Sequence, residues 1–176
     1  MKTPHITVGL DGADIIGDDN IALQSAVDYI SALGGGTVEI LSGTYIMRNS
    51  LHLRSNITVR GQGESTTLWK ADAVESLLSL DGDFGEEQIT IQDCRGFEVG
   101  YGVSITDDRN GGFHTAVGTL IWQDENTFGV NVPMGGDYMV SNNARAATTF
   151  PVISGYNLEN ARVENLTIDG NKENNP

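Results

Sequence analysis

The stretch GADIIGDDNIALQSAVDYISALGGGTVEILSGTY, residues 12–45, decides the fold of this 176-residue chain. Within it, apolar side chains recur at helical spacing on one face, at Leu23, Ala26, Val27, Ile30 and Leu33. Asp18 and Asp19 precede this run and are suited to cap a helix, and three glycines, residues 34–36, follow it as a left-handed C-cap would. The pattern predicts one amphipathic helix, followed by a strand that begins at Thr37.

After the helix, short apolar alternations are separated by Gly, Asn, Ser and Asp. Strands are predicted at residues 37–40, 56–61 and 77–82, and their central residues Val38, Val59 and Leu80 are spaced 21 residues apart. Residues 163–170 then repeat the pattern of the second strand, with Asn, apolar, Thr, apolar, polar and Gly in order. A strand that recurs every ~20–25 residues indicates a solenoid, in which each coil buries its apolar face against its neighbours.

The period is lost between Leu80 and Phe150. Shorter alternations with a turn at residues 124–126 predict antiparallel strands, at residues 88–93, 103–106, 115–122 and 127–132. We interpret residues 86–149 as an inserted β-rich subdomain, either a small antiparallel barrel or a hairpin flap. The predicted organisation is an N-terminal cap with the helix, first coils, this insertion and a resumed, truncated coil, at residues 1–36, 37–85, 86–149 and 150–176.

Charge and composition exclude several classes of protein. Ten basic and 24 acidic residues give a net charge of −14, which disfavours nucleic acid and anionic membranes as partners, since both require basic surfaces. No apolar run is long enough for a membrane-spanning helix, and the start of the chain lacks the pattern of a signal peptide. Cys94 is the single cysteine, so no intramolecular disulfide is possible, and we expect it to be a buried small hydrophobe.

The opening stretch resembles the N-terminal part of the pectate-lyase-like, right-handed parallel β-helix superfamily. The matching residues are Gly12-Ala13-Asp14, Asp18-Asp19, residues 21–27, residues 34–40 and residues 42–45, and residues 165–171 resemble a typical coil. The chain departs from the usual pattern at Ile15-Ile16, at Asn20 and at Leu41, where proline is common. The resemblance implies an all-β fold: a right-handed parallel β-helix with an N-terminal capping α-helix and an inserted antiparallel segment.

The resemblance also implies a carbohydrate-active protein that acts on polysaccharide, as a lyase or a glycoside hydrolase. Because the chain stops just after a strand, at residues 172–176, we expect an N-terminal fragment with an incomplete active site. The full-length protein is expected outside the cell or at its surface. Two alternatives stay open: a non-catalytic polysaccharide-binding or adhesion module of the phage-tail type, and a scaffold that forms homo-oligomers through its open C-terminal coil.

The densest group of chemistry-bearing side chains is Asp107, Asp108, Arg109 and His114, flanked by Gly111-Gly112. Two carboxylates could act as acid and base on a glycosidic bond, while the cation and the imidazole could contact sugar. The alternative is a solvated hairpin loop, because turns favour Asp, Asn and Gly. Asp169, at the end of a predicted strand, is a third candidate catalytic carboxylate, with closure of a turn as its alternative.

Candidate substrate-binding residues are spread over the predicted coils. Arg54, Arg60 and Lys70 could form a cationic strip for an acidic polysaccharide, or could instead neutralise neighbouring acidic groups. Trp122 could stack on a sugar or pack against the protein. No spacing of His, Cys and Asp matches a zinc site. The surplus of acidic groups makes Ca²⁺ a possible cofactor, although no ligand loop is evident.

Overall fold

The computed structural model describes residues 3–110 and 114–175, and the chain is mostly β-structure with one α-helix in this part. It divides into two compact units. The first, here called the parallel unit, consists of the described residues up to Ala71 together with Pro151–Glu173. The second, the antiparallel unit, consists of Asp72–Phe150 with Asn174 and Asn175. Within the described residues, no helix is both long and apolar enough to cross a bilayer.

The predicted helix is confirmed as α1, Asn20–Ala32. The Asp19 carboxylate caps it by accepting hydrogen bonds from the amides of Ile21 and Ala22, at 2.9 and 3.0 Å. Gly35 follows the helix with a φ of 113°, and a Cβ there would lie 2.4 Å from the carbonyl oxygen of Asn56. Only glycine therefore fits this helix end, because both the backbone angle and the close approach exclude a side chain.

The first part of the parallel unit contains seven strands. They are β1 (His5–Gly9), β2 (Ile15–Ile16), β3 (Gly36–Ile40), β4 (Gly43–Met47), β5 (Leu51–His52), β6 (Ile57–Arg60) and β7 (Thr66–Lys70). β3 and β6 pair in parallel with Val38 beside Val59, and both side chains are fully buried. The predicted 21-residue spacing of these two valines thus matches the register of two neighbouring parallel strands.

The chain then enters the antiparallel unit. Its strands are β8 (Glu75–Leu77), β9 (Gln88–Thr90), β10 (Gly102–Thr106), β11 (Ala116–Asp124), β12 (Thr127–Val130) and β13 (Arg145–Ala147). They form one antiparallel sheet in the order β8-β13-β10-β11-β12-β9. Its two outer strands are joined as well, because Leu78 bridges to Ile91 and the amide of Gln92 donates to the carbonyl of Leu77 at 2.9 Å. The sheet therefore closes into a small barrel, which is the first of the two alternatives considered for the insertion.

The interior of this barrel is filled by buried apolar side chains, among them Ile91, Val103, Ile105, Leu120, Phe128 and Val130. Cys94 packs against this cluster and is partly buried. The unit begins at Asp72, earlier than the predicted residue 86, because β8 pairs with β13. Residues 77–82 therefore add no strand to the parallel sheets, and Leu80 is 62% exposed instead of lying beside Val59.

After the barrel, the parallel unit resumes with β14 (Ile153–Ser154), β15 (Arg162–Glu164) and β16 (Thr167–Asp169). The unit then contains three parallel sheets, with the strand orders β15-β6-β3-β1-β2, β16-β7-β4 and β14-β5. β15 supplies the strand that stacks on β6, with Val163 beside Val59. β15 and β16 lie at the edges of their sheets, and association of copies through these edges stays a prediction.

The predicted repeat of residues 56–61 in residues 165–170 requires a correction. Ile168 of β16 lies beside Leu68 of β7, so the second copy of the pattern belongs to a different sheet from the first. Asn56 and Asn165 both have left-handed backbone angles, with φ of 63° and 61°. The shared pattern marks a corner before a strand, and corners of this kind occur more than once in each coil.

Candidate functional site

A cleft in the parallel unit lies beside the strand pair β5 and β14. Its cavity volume is about 430 Å³, and its lining includes His52, Arg54, Ser154, Tyr156 and Leu158. Ligand pockets in proteins typically measure ~300–1,000 Å³ and combine apolar walls with a few polar groups. The cleft has this size and this mixture of side chains.

The register of β5 and β14 brings the polar groups together. Leu51 lies beside Ile153, and His52 lies beside Ser154. Leu51 is fully buried, so the alternation of a strand directs His52 to the outer face, where Ser154 meets it. Ser154 Oγ is 2.9 Å from His52 Nδ1, a hydrogen-bonding distance.

The helix fixes the position of His52. The side chain of Gln24 accepts a hydrogen bond from the His52 amide at 2.8 Å and donates one to the His52 carbonyl at 3.1 Å. Gln24 also donates to Asp28, which forms an ion pair with Arg54 at 3.0 Å. One face of α1 therefore orders both the imidazole and the guanidinium of the cleft.

The imidazole of His52 is disposed to be neutral. Burial lowers its pKa below the ordinary value of 6.5, and the positive charge of Arg54 lowers the pKa further, while Asp28 opposes the shift. A neutral imidazole can accept the hydroxyl proton of Ser154 at Nδ1. In the tautomer that carries its proton on Nε2, the pair combines a hydroxyl donor with a neutral imidazole acceptor.

Tyr156 provides an aromatic ring at the edge of the cleft. It is 86% exposed, the largest exposed fraction among the large hydrophobic side chains of the described residues. The next residue, Asn157, has a φ of 50°, so a tight corner presents the ring just after β14. Tyrosine combines an apolar ring face with a hydroxyl that forms hydrogen bonds, and both suit a partly polar ligand.

The carboxylate of Asp107, predicted as catalytic, accepts hydrogen bonds from backbone amides. It is 2% exposed and accepts hydrogen bonds from the amides of Arg109 at 2.9 Å, Asn110 at 2.6 Å and Met139 at 3.1 Å. Burial raises its pKa, but these backbone hydrogen bonds outweigh burial and hold the pKa below its ordinary value. The geometry is that of a side chain that holds two loops in place.

Asp108 lies next to Asp107 in sequence but faces different partners. Its carboxylate accepts hydrogen bonds from Asn143 at 2.6 Å and from Arg145 at 2.8 Å, and these two partners lower its pKa. Arg109 lines a separate cleft of about 340 Å³ with Asp137 and Asn142. Neither carboxylate is disposed to hold the proton that a general acid requires.

His114 is exposed, and its backbone carbonyl accepts a hydrogen bond from the hydroxyl of Tyr138. Gly111-Gly112, which flank the predicted cluster, lie outside the described residues. Asp169 is exposed and accepts a hydrogen bond from the amide of Asn171 at 2.8 Å, as a turn-closing aspartate does. Its neighbour across the sheet is Trp69.

The three cations of the predicted strip have different surroundings, and their binding of a polysaccharide stays a prediction. Arg54 pairs with Asp28 at 3.0 Å, and Arg60 pairs with Glu164 at 2.6 Å. Lys70 is 8% exposed, and burial lowers its pKa. Neutralisation of nearby acidic groups, the alternative considered for these residues, describes the two arginines.

Trp122 is 42% exposed on β11, and its indole covers Gly129 of β12, where a Cβ would collide with it. Within the part of the chain that the structure describes, no three His, Cys, Asp or Glu side chains are grouped so that they could hold a metal ion. Calcium binding therefore stays a prediction without a candidate set of ligands.

Sequence reasoning missed His52, Ser154 and Tyr156. His52 and Ser154 are 102 residues apart, and the barrel between them hides the fact that β14 stacks on β5. The one available signal was local: each of the two residues directly follows an apolar residue in a short strand, and so occupies the outward position. This alternation indicates which face of the strand a residue occupies, but it does not indicate which residue of another strand lies beside it.

No protein-family model matches the chain, and no curated protein matches it. Among solved structures, the chain is similar to the tailspike gp61 of Pseudomonas phage phi297, at 14% identity and a TM-score of 0.41 over 84% of this chain and 28% of that one. It is similar to the gp54 tailspike of Acinetobacter baumannii bacteriophage AP22, which was solved in complex with a capsular saccharide, at 13% identity and a TM-score of 0.41 over 84% and 28%.

A third similar structure is the tailspike gp49 of Pseudomonas phage LKA1, at 20% identity and a TM-score of 0.35 over 76% of this chain and 25% of that one. The chain spans less than a third of the length of each of these proteins. Since the TM-scores are below 0.5, the description of the fold rests on the strand pairing alone.

Proposed function

We propose that the chain forms a right-handed parallel β-helix whose cleft at His52, Ser154 and Tyr156 binds polysaccharide. The observation that carries the proposal is the exposed ring of Tyr156 at the edge of a cleft that combines apolar walls with a few polar groups. An aromatic face offers apolar contact to the C–H face of a sugar ring. The hydroxyl, imidazole and guanidinium beside it offer hydrogen bonds to sugar hydroxyls.

Charge favours an uncharged saccharide over a polyanion. Arg54, the cation of the cleft, is already paired with Asp28, and Asp28 itself adds negative charge. The chain as a whole carries a net charge of −14, which repels a polyanionic chain at long range. The proposed ligand class is therefore a neutral polysaccharide, and not the acidic one that was considered for a cationic strip of Arg54, Arg60 and Lys70.

Glycoside hydrolysis at Asp107 and Asp108 has less support. A hydrolase of that kind needs one carboxyl group that keeps its proton near neutral pH. Both carboxyl groups have lowered pKa values, and three backbone amides occupy Asp107. The proposal is therefore a saccharide-binding module in a protein that acts outside the cell or at its surface, with the phage-tail type as one form of it.

The test is isothermal titration calorimetry of the chain against neutral and acidic oligosaccharides, with Tyr156→Ala as the variant. Tyr29→Ala is the matched control, because Tyr29 is 55% exposed on α1 and does not line the cleft. We expect binding of a neutral oligosaccharide that weakens at least ~10-fold, or ~1.4 kcal/mol, in Tyr156→Ala and not in the control. Equal affinities of the two variants would contradict the proposal.

A further inference from the structure

The hydrogen bond between Ser154 and His52 has a role available beyond saccharide binding. A serine becomes a nucleophile when a base within ~2.6–3.2 Å can remove its proton, and Ser154 Oγ lies 2.9 Å from His52 Nδ1. Both residues line the same cleft, so a ligand there can reach the hydroxyl. A nucleophile and a base are thus in place at a surface that is open to substrate.

The surroundings hold the pair in position and favour the neutral imidazole. The Gln24 side chain forms hydrogen bonds with both the amide and the carbonyl of His52, which fixes the backbone from which the imidazole extends. Burial and the charge of Arg54 keep the ring neutral at physiological pH, so that Nδ1 is available to take a proton. Asp28 forms an ion pair with Arg54 at 3.0 Å, and its negative charge partly opposes the lowering of the His52 pKa.

The residue after Ser154 offers a hydrogen-bond donor for a negatively charged oxygen. Gly155 is exposed, and within the described residues its amide donates to no acceptor. The amide of the residue that follows a nucleophilic serine is a common donor to the oxyanion of an acyl-transfer intermediate. Leu53 and Leu158, which also line the cleft, provide an apolar wall for a small acyl group.

We propose that Ser154 and His52 form a nucleophile–base dyad that removes O-acyl groups, such as acetyl esters, from the saccharide bound in the cleft. The substrate class rests on the proposed function, whereas the reactivity of the dyad does not. An ester suits the dyad better than a glycosidic bond, because ester cleavage requires no pair of carboxyl groups.

The reaction balances without a further reagent. Ser154 Oγ attacks the acyl carbon while its proton passes to His52 Nδ1. The C–O bond to the sugar then breaks, and the departing sugar oxygen takes that proton and becomes a hydroxyl. Water next gives a proton to His52 as its oxygen attacks the acyl-serine, Ser154 recovers its proton, and the carboxylic acid leaves.

The test treats the chain with a fluorophosphonate probe, which reacts with activated serines, and measures acetate release from 4-nitrophenyl acetate and from an acetylated neutral oligosaccharide. The variants are Ser154→Ala and His52→Gln. The control is Ser25→Ala, since Ser25 is exposed on α1 and its hydroxyl donates only to the Ile21 carbonyl. Circular dichroism verifies that each variant is folded.

We expect the probe to label Ser154. We expect the hydrolysis rate to fall at least ~100-fold in both dyad variants and to be unchanged in the control. Absence of labelling in the unmodified chain, or equal hydrolysis by Ser154→Ala, overturns the proposal. Saccharide binding without labelling refutes the dyad alone, and labelling without saccharide binding refutes the binding function alone.

Discussion

Replacing Asp107 by alanine removes the acceptor of three backbone amides at once, those of Arg109, Asn110 and Met139. A hydrogen bond to a charged group contributes ~1.5–3 kcal/mol, and a buried donor left without a partner costs ~1–3 kcal/mol. The three effects overlap, because one relaxation of the two loops exposes all three amides to water. We expect the variant to lose ~3–5 kcal/mol, a large share of the ~5–15 kcal/mol that stabilises a typical domain.

The matched control is Asp108→Ala, since Asp108 is the neighbouring carboxylate but more than half of its side chain is exposed. Guanidinium unfolding followed by circular dichroism gives the two stabilities, and hydrogen exchange at the amides of Asn110 and Met139 localises the loss. We expect Asp108→Ala to lose far less unfolding free energy than Asp107→Ala. We expect faster hydrogen exchange at both amides in Asp107→Ala only. Equal losses in the two variants would refute the structural role and return Asp107 to the list of candidate catalytic groups.

Two further predictions concern pH and register. The pKa of His52 is lowered on folding, so the unfolded chain binds more protons than the folded chain below pH ~6.5, and the stability falls as the pH falls through that range. His52→Asn should therefore show a smaller fall in melting temperature between pH 7 and pH 5 than the unmodified chain. An equal fall would contradict this reasoning. Val59→Ala should lower the free energy of unfolding by about 2 kcal/mol, because Val59 is fully buried between Val38 and Val163. Leu80→Ala should lower it by under ~0.5 kcal/mol, because Leu80 is exposed. Chemical unfolding of the two variants tests which residue belongs to the core of the parallel unit.

Local patterns predicted the parts of the fold that local physics determines. The helix, its Asp19 cap and its glycine end follow from spacing and backbone preference, and the structure has all three. The distance from Val38 to Val59 gave the register of two coils, because one coil directly follows the other in the chain. In each case the residues that decide the structure are close in sequence.

The errors arose where the strand partner is distant in sequence. Residues 77–82 have the composition of a coil strand, and no local feature distinguishes a parallel partner from the antiparallel β13 that pairs with Glu75–Leu77. The Asp107 cluster has the composition of an active site, but the sequence does not show that the Asp107 carboxylate accepts a hydrogen bond from the amide of Met139, 32 residues away. The composition identified residue types that can carry chemistry. Their surroundings depend on hydrogen-bonding and strand partners that are distant in sequence.

The candidate cleft depends on the same long-range stacking. His52 precedes the barrel in the chain and Ser154 follows it, so the two meet only because β14 returns to pair with β5 in register. A shift of one residue would turn Ser154 to the opposite face and place Ile153 beside His52, since side chains alternate along a strand. The length of the barrel does not enter this condition. The register is set by the pairing of buried Leu51 with half-buried Ile153 and by the hydrogen bond from the Leu53 amide to the Ser154 carbonyl at 2.9 Å. The chemistry of the cleft is therefore a property of the stacked coils, and it tolerates changes in the insertion more readily than changes at Leu51 or Ile153.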